Sequence, residues 1–266
     1  HMNPEYAILG GLFWRVLGRN IGLWYVHKAV NLKLRLAEKL VNIIFTASPE
    51  SFGLKSKKVN ILGHGIDFKR FLTKQSDPTA KSNKFKIVYV GRISKIKNQE
   101  LLIRAIDILV NKQNIKNIKI ELVGSAIYPA DKNYLNFLKG LAQELNLKNI
   151  ATFAGSVPNK DIANIYSNSN LSINLCPTGG IDKAVLESWA SGTPCIILNK
   201  TFSQTLLNFP ELILEGDNPE ELADKIQAFM RISSRKKEIV SDFLRNEVVA
   251  NHNLQNLATR IINLIS

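Results

Sequence analysis

The sequence predicts an α/β protein with parallel sheets. A complete doubly wound domain is expected at 85–235, preceded by part of another α/β unit and followed by helices. Two observations carry this reading. Short apolar runs of strand length alternate with segments of helical period along most of the chain, the habit of parallel sheets. Three of those runs end in glycine, at Gly91, Gly124 and Gly155. The loops that follow them therefore gather at one carboxyl edge, where open α/β sheets bind ligands.

Taken in order, residues 5–20 have helical spacing, with Leu9, Leu12, Phe13, Val16 and Leu17 on one side. GLWYVHK (22–28) reads as a buried strand, 29–41 as an amphipathic helix and NIIFTAS (42–48) as a second strand. VNILGHGID (59–67) gives a short strand and a glycine-rich turn. These strands are too few for a finished domain over residues 1–75, so earlier strands are expected to be missing from this chain. The opening His1-Met2 reads as an expression-tag remnant or as an internal start. SDPTAKSNK, from Ser76 to Lys84, is a polar linker.

The alternation then restarts. Strands are expected at 85–91, 118–124, 149–155, 171–177 and 194–199, with helices at 98–112, 131–146, 159–167 and 182–191 between them. ELILEGD (211–217) leads to helices at 218–231, 234–250 and 253–265, and residues 236–266 are expected to pack back on the N-terminal part.

Composition narrows the function classes. Hydrophobic residues make up 45% and charged ones 21%, the balance of a folded globular chain. No apolar run reaches the ~20 residues a membrane span needs. Cys176 and Cys195 form neither a disulfide framework nor a metal-type spacing, so a reducing cytoplasm and no metal are expected. The net charge of +13 calls for an anionic partner. Its basic residues lie in KLRLAEK (33–39), KSKK (55–58) and RKK (235–237), without aromatic interleaving. A phosphorylated substrate or an anionic membrane surface is therefore expected rather than nucleic acid; a solvated basic face is the alternative.

Two strand–turn–helix segments could carry chemistry. GRISKIKNQ (91–99) places Arg92 and Lys97 across one turn at the start of a helix, where free backbone amides already favour an anion. A planar donor fork and a point charge suit a diphosphate; a basic surface loop is the alternative. TGGIDKAVLESWASGTPCII (178–197) has Gly179 and Gly180 in its turn, Asp182 at the N-cap position, and Lys183 and Glu187 on one helix face. It reads either as a capped helix with a stabilising pair or as a cradle whose carboxylate accepts from sugar hydroxyls. Trp189 and Phe153 are expected in the core, and His64 and His252 in structural roles.

In combination, the GR-x4-K turn, the LVG strand, FAGSVPNKDIANIYSNSNLSINLCP, GGIDKAVLESWASGTPCII and the earlier GHGIDFKRF turn resemble the retaining glycosyltransferases of the GT-B fold, family 4 in particular. The resemblance covers about residues 20–265. It implies a GT-B architecture with one complete Rossmann-like domain and the last part of another. It further implies transfer of a sugar from a nucleoside diphosphate sugar to an acceptor hydroxyl with retention, in cell-envelope or glycan synthesis. Arg92 and Lys97 would neutralise the donor diphosphate, beside Gly91. Glu187 would bind ribose as the second Glu of the Glu-x7-Glu motif. The loop with Gly155 and Val157 would rest on the base. Gly179, Gly180, Ile181, Asp182 and Lys183 would hold the sugar-phosphate, and His27 would face the reaction centre. No cofactor beyond the donor is implied. The acceptor would be a glycan or lipid-linked, reached from the cytoplasm, with peripheral contact at the inner membrane face.

The sequence departs from the family pattern at Gly179, eight residues before Glu187, where the motif has its other Glu. Asp182 and Lys183 are the expected replacements. The first strands and glycine-rich loop of the N-terminal domain have no counterpart. A truncated fragment that binds nucleotide without turnover, or a GT-B sugar-nucleotide epimerase, are the competing readings.

Overall fold

Among the described residues, every named strand pairs in parallel with its neighbours, as the strand–helix alternation requires. The structure, a computed structural model, describes residues 3–72, 84–177 and 179–266. Apart from Lys84, the expected linker lies outside the described residues, as does Thr178. The chain forms two units. One comprises His1–Asp67, Gly179–Lys183 and Ala250–Ser266; the other comprises Phe68–Thr178 and Ala184–Val249.

In the first unit, α1 (Pro4–Val16), β1 (Gly22–Trp24), α2 (Leu32–Leu40), β2 (Ile43–Thr46) and β3 (Val59–Ile61) build a sheet of order β1-β2-β3. Capping sets the helix starts. Asn31 Oδ1 accepts from the Leu34 N–H at 2.8 Å, so α2 begins at Leu32 rather than at the expected residue 29. Leu34 and Ala37 then turn inward with Leu23, Val41 and Ile44. β1 is shorter than GLWYVHK predicts, because the chain leaves the ladder after Trp24 and rejoins it by a single bridge from His27 to Phe52.

The apolar side of α1 faces solvent. Leu9 is 84% and Val16 87% exposed, whereas the small side, Pro4, Ala7 and Gly11, is buried. Small residues let α1 approach α2 closely, with the Gly11 Cα side against Leu40. The last helix, Leu254–Ile265, belongs to this unit. The Ile66 N–H donates to the His252 carbonyl at 2.7 Å and the Leu254 N–H to the Ile66 carbonyl at 3.1 Å, which joins the GHGID turn to the helix start.

The second unit alternates strictly. β4 (Phe85–Val90), α3 (Gln99–Asp107), β5 (Ile118–Val123), α4 (Pro129–Glu144) and β6 (Ala151–Gly155) come first. They are followed by α5 (Ile162–Ser167), β7 (Leu171–Asn174), α6 (Lys183–Ala190) and β8 (Cys195–Ile197), then α7 (Pro219–Arg231) and α8 (Ser234–Asn251). α6 takes its first residue from the first unit and α8 its last two; the final helix, already described, is α9. Of the expected C-terminal helical region, α9 thus lies in the first unit and α8 up to Val249 in the second. The helix expected at 98–112 is α-helical to Asp107 and closes as a wider π turn over Ile108–Lys112. Strand order is β6-β5-β4-β7-β8, the doubly wound arrangement that reverses between β4 and β7. Trp189 is fully buried in this core, as expected, but Phe153 is half-buried, with Lys139 Nζ 6.0 Å from its ring centroid. No described helix is long and apolar enough to cross a membrane.

The carboxyl edge is tightly drawn together. A Cβ on Gly124 would stand 1.9 Å from the Gly91 carbonyl oxygen, while the Gly124 N–H donates to the Gly155 carbonyl at 2.8 Å. Gly124 also has φ +146°, where side-chain-bearing residues are strained. Gly124→Ala is expected to destabilise the protein by about 2 kcal/mol or more, through backbone displacement. Urea unfolding of the variant with a midpoint equal to wild type would contradict this packing.

Candidate functional site

The reversal of strand order between β4 and β7 sets the two loops that matter side by side at the sheet's carboxyl edge. Tyr89, 1% exposed on β4, ties them together. Its hydroxyl donates to the Lys97 carbonyl and accepts from the Leu175 N–H, the latter at 3.2 Å. One phenol thus fixes the basic turn to the end of β7. A hydroxyl in the otherwise apolar core positions of FKIVYV was the available signal for this role, and sequence reasoning missed it.

Within the basic turn, Lys95–Lys97 form one 3-10 turn, and Asn98, at φ 54°, swings the chain into α3. Gln99 is fully buried and its Nε2 donates to the Arg92 carbonyl at 2.9 Å, which closes the turn on itself. Arg92 and Lys97 therefore project from a braced segment. The Arg92 guanidinium lies 5.5 Å from the Tyr128 ring centroid, with its Nε 3.9 Å from Asp131 Oδ2. An incoming anion would compete with that half-buried carboxylate for Arg92. Gly155 ends β6 and Val157 lies just past it, Gly155 exposed and Val157 half-buried.

α6 is anchored on its buried side. The Tyr166 hydroxyl donates to the Ala184 carbonyl at 2.8 Å, and Ser188 Oγ lies 2.6 Å from Ser172 Oγ on β7 while donating to the Thr193 carbonyl at 2.7 Å. Ser188 is on the buried side, so Glu187, one residue earlier, stands at the half-buried rim. The second unit thus supplies Gly91, Arg92, Lys97, Gly155, Val157 and Glu187 on elements of one sheet edge.

The remaining predicted residues belong to the first unit. Gly179 has φ +122°, and a Cβ there would meet no atom within 4 Å. The motif's other carboxylate is thus absent at a place with room for a side chain but with a backbone that side chains rarely adopt. Gly180 lies against Ser48 and Ser51, and Ile181, Asp182 and Lys183 lie beside His64. His27 is exposed. Its Nδ1 accepts from the Ala29 N–H at 2.9 Å, so the neutral ring carries its proton on Nε2. His64 and His252 are 8% and 9% exposed, and Trp24 lies 6.3 Å from His64 between ring centroids.

The parallel sheets and their order define an α/β protein of the GT-B type. A family model described as Glycosyl transferases group 1 matches residues 72–241, well over half the chain, and the protein belongs to that family. It is similar to the mannosylfructose-phosphate synthase of Agrobacterium fabrum, 24% identical over 186 residues, which is 63% of this chain and 41% of that protein. A UDP-Gal:alpha-D-GlcNAc-diphosphoundecaprenol alpha-1,3-galactosyltransferase of Escherichia coli is 25% identical over 218 residues, 78% of this chain and 54% of that one. The chain spans about half the length of the curated relatives it matches. Among solved structures, Anabaena HepE in complex with UDP and glucose superposes with a TM-score of 0.82 at 15% identity, covering 98% of this chain and 75% of that one.

The His64 pKa falls from the ordinary 6.5 to about 4. Burial is the main cause, Lys183 and His252 add to it, and Asp182 and the Ile181 backbone oppose it. Above the unfolded value the ring is neutral in both states. As pH falls from about 6.5 the unfolded chain takes up a proton that the folded chain refuses, down to about pH 4. Stability on the order of 3 kcal/mol is therefore lost across that window. Urea unfolding from pH 7.5 to 4.5 should show a steeper loss for wild type than for His64→Gln; parallel profiles would refute it.

Proposed function

We propose that the chain is the donor-binding portion of a glycosyltransferase that moves a sugar from a nucleoside diphosphate sugar to an acceptor hydroxyl with retention. The observation that carries this reading is the braced basic turn, Gly91 to Lys97, at the carboxyl end of β4 beside the strand-order reversal. It lies inside the segment matched by the family model. Arg92 and Lys97 stabilise charge that builds on the leaving diphosphate, a fixed electrostatic contribution. Glu187, held on α6 by Ser188 and Tyr166, accepts from the ribose hydroxyls. Gly179 to Lys183 present backbone amides and two charged side chains to the sugar-phosphate. The departing phosphate takes the acceptor proton, so no separate base is required.

The name of the Escherichia coli relative specifies a diphosphoundecaprenol-linked acceptor. That supports a lipid-linked glycan acceptor for this chain, and the net charge of +13 suits work at an anionic membrane face. A second reading is donor binding without turnover. Donor hydrolysis or transfer by this chain would eliminate it.

Arg92→Ala and Lys97→Ala are each expected to weaken nucleoside diphosphate binding by about 1.5 kcal/mol or more. Glu187→Gln should instead lower the preference for ribose-bearing over ribose-lacking diphosphates. Calorimetry showing wild-type affinity in both cation variants would remove the basis of the donor assignment.

A further inference from the structure

The segment Gly179–Lys183 is held by first-unit residues on two sides. On one side, a Cβ added to Gly180 would fall 1.8 Å from Ser51 Oγ, 2.8 Å from Ser48 Oγ and 3.1 Å from Ser51 Cβ. Those two hydroxyls are hydrogen-bonded to each other at 2.9 Å, and both serines are buried, at 3% and 2% exposure. They form a polar ledge on the 3-10 turn Pro49–Ser51 that follows β2, and the Gly180 backbone rests directly on it. On the other side, the His64 imidazole hydrogen-bonds the Ile181 backbone. That bond favours the protonated ring, so the Ile181 carbonyl is the acceptor. His64 comes from the GHGID turn after β3, which is itself braced by the pairing of Ile66 with the start of α9.

We infer that Ser48, Ser51 and His64 are positioning residues that seat the Gly179–Lys183 segment, so that its backbone amides are presented in a fixed arrangement to a sugar-phosphate. The inference rests on the donor reading above. The physical logic is preorganisation. A glycine pair left to itself samples many backbone states, and ordering it on binding would cost affinity. The ledge and the imidazole hold that order before a ligand arrives.

Backbone amide exchange and ligand binding, measured on the same variants, test the seat. Gly180→Ala drives a methyl into Ser51 Oγ, and His64→Leu removes the donor to Ile181. Each should speed exchange of amides 179–183 by about tenfold while β4 amides keep wild-type rates. UDP-glucose, GDP-mannose and ADP-glucose, each compared with its bare diphosphate, supply the binding readout. For whichever pair binds wild type, both variants should lose about tenfold of sugar-nucleotide affinity, with the bare diphosphate nearly unchanged. A rescue separates positioning from general damage: His64→Gln or His64→Asn, whose amides can donate, should restore more than His64→Leu. Unchanged exchange in the single variants overturns the seat, and so does failure of the rescue while a diphosphate still binds. Faster exchange with an unchanged preference for sugar-nucleotide over diphosphate overturns its link to the donor. If no member of the panel binds wild type, the donor reading itself fails, and the purpose assigned to the seat fails with it.

Discussion

At the point where the strand order reverses, two loops must approach each other across neighbouring parallel strands with nothing in the ladder to fix their spacing. The Tyr89 hydroxyl supplies that constraint by joining the Lys97 carbonyl to the Leu175 N–H. The bond is buried, so its loss would leave a polar backbone group without solvent, a penalty of about 1–3 kcal/mol. What depends on it is larger than that figure. Lys97 and Arg92 sit on the turn that Tyr89 anchors, and α6 follows from the chain that Leu175 begins. The neighbouring edge is set with equal tightness by Gly124 against the Gly91 carbonyl. A sheet edge fixed from both sides in this way can display cations at a defined place, with Arg92 exposed and Lys97 half-buried.

The other half of the candidate machinery obeys a different constraint. The carboxylate expected eight residues before Glu187 is replaced by a glycine whose φ of +122° suits no other side chain well. The substitution therefore cannot be understood as a simple deletion of one functional group. A glutamate placed there would be strained by that backbone, while the next residue, Gly180, rests on the buried serine ledge. Asp182 and Lys183 carry the remaining charge of that loop, and both act on His64 with opposite sign. Burial, with Lys183 and His252 and against Asp182, favours the neutral imidazole, the state that donates a single hydrogen bond.

Much of the second unit was legible because its signals are local. Apolar runs ending in Gly91, Gly124 and Gly155 gave the strands and the edge to which they point. Pro129 stands at the start of α4, and Pro219 with the Asn218 cap at the start of α7, within two residues of the expected beginnings. Arg92 and Lys97 could be picked out because they follow a strand at a turn, and Glu187 because it lies on the helix after such a turn. The braces behind them were not legible. Tyr89, Gln99, Ser172 and Ser188 act through partners distant in sequence, and a buried hydroxyl looks the same as any other polar residue until its partner is known. His64 was read as structural for the same reason, since nothing in GHGID shows that Ile181 lies beside it.

The first unit shows how far periodicity can carry an argument. The spacing of Leu9, Leu12, Phe13, Val16 and Leu17 correctly gave a helix, yet the face it marked is turned to solvent. Packing against α2 went instead to Ala7 and Gly11, because a close helix contact selects for small side chains rather than for the largest apolar area. Burial of a Leu or Phe side chain is worth about 1.5–3 kcal/mol, so a surface with five such residues exposed carries a substantial unsatisfied hydrophobic driving force. Hydrophobic patterning states which surface gains from burial. It does not state which surface the chain itself can bury, and in α1 those two are opposite sides of one helix.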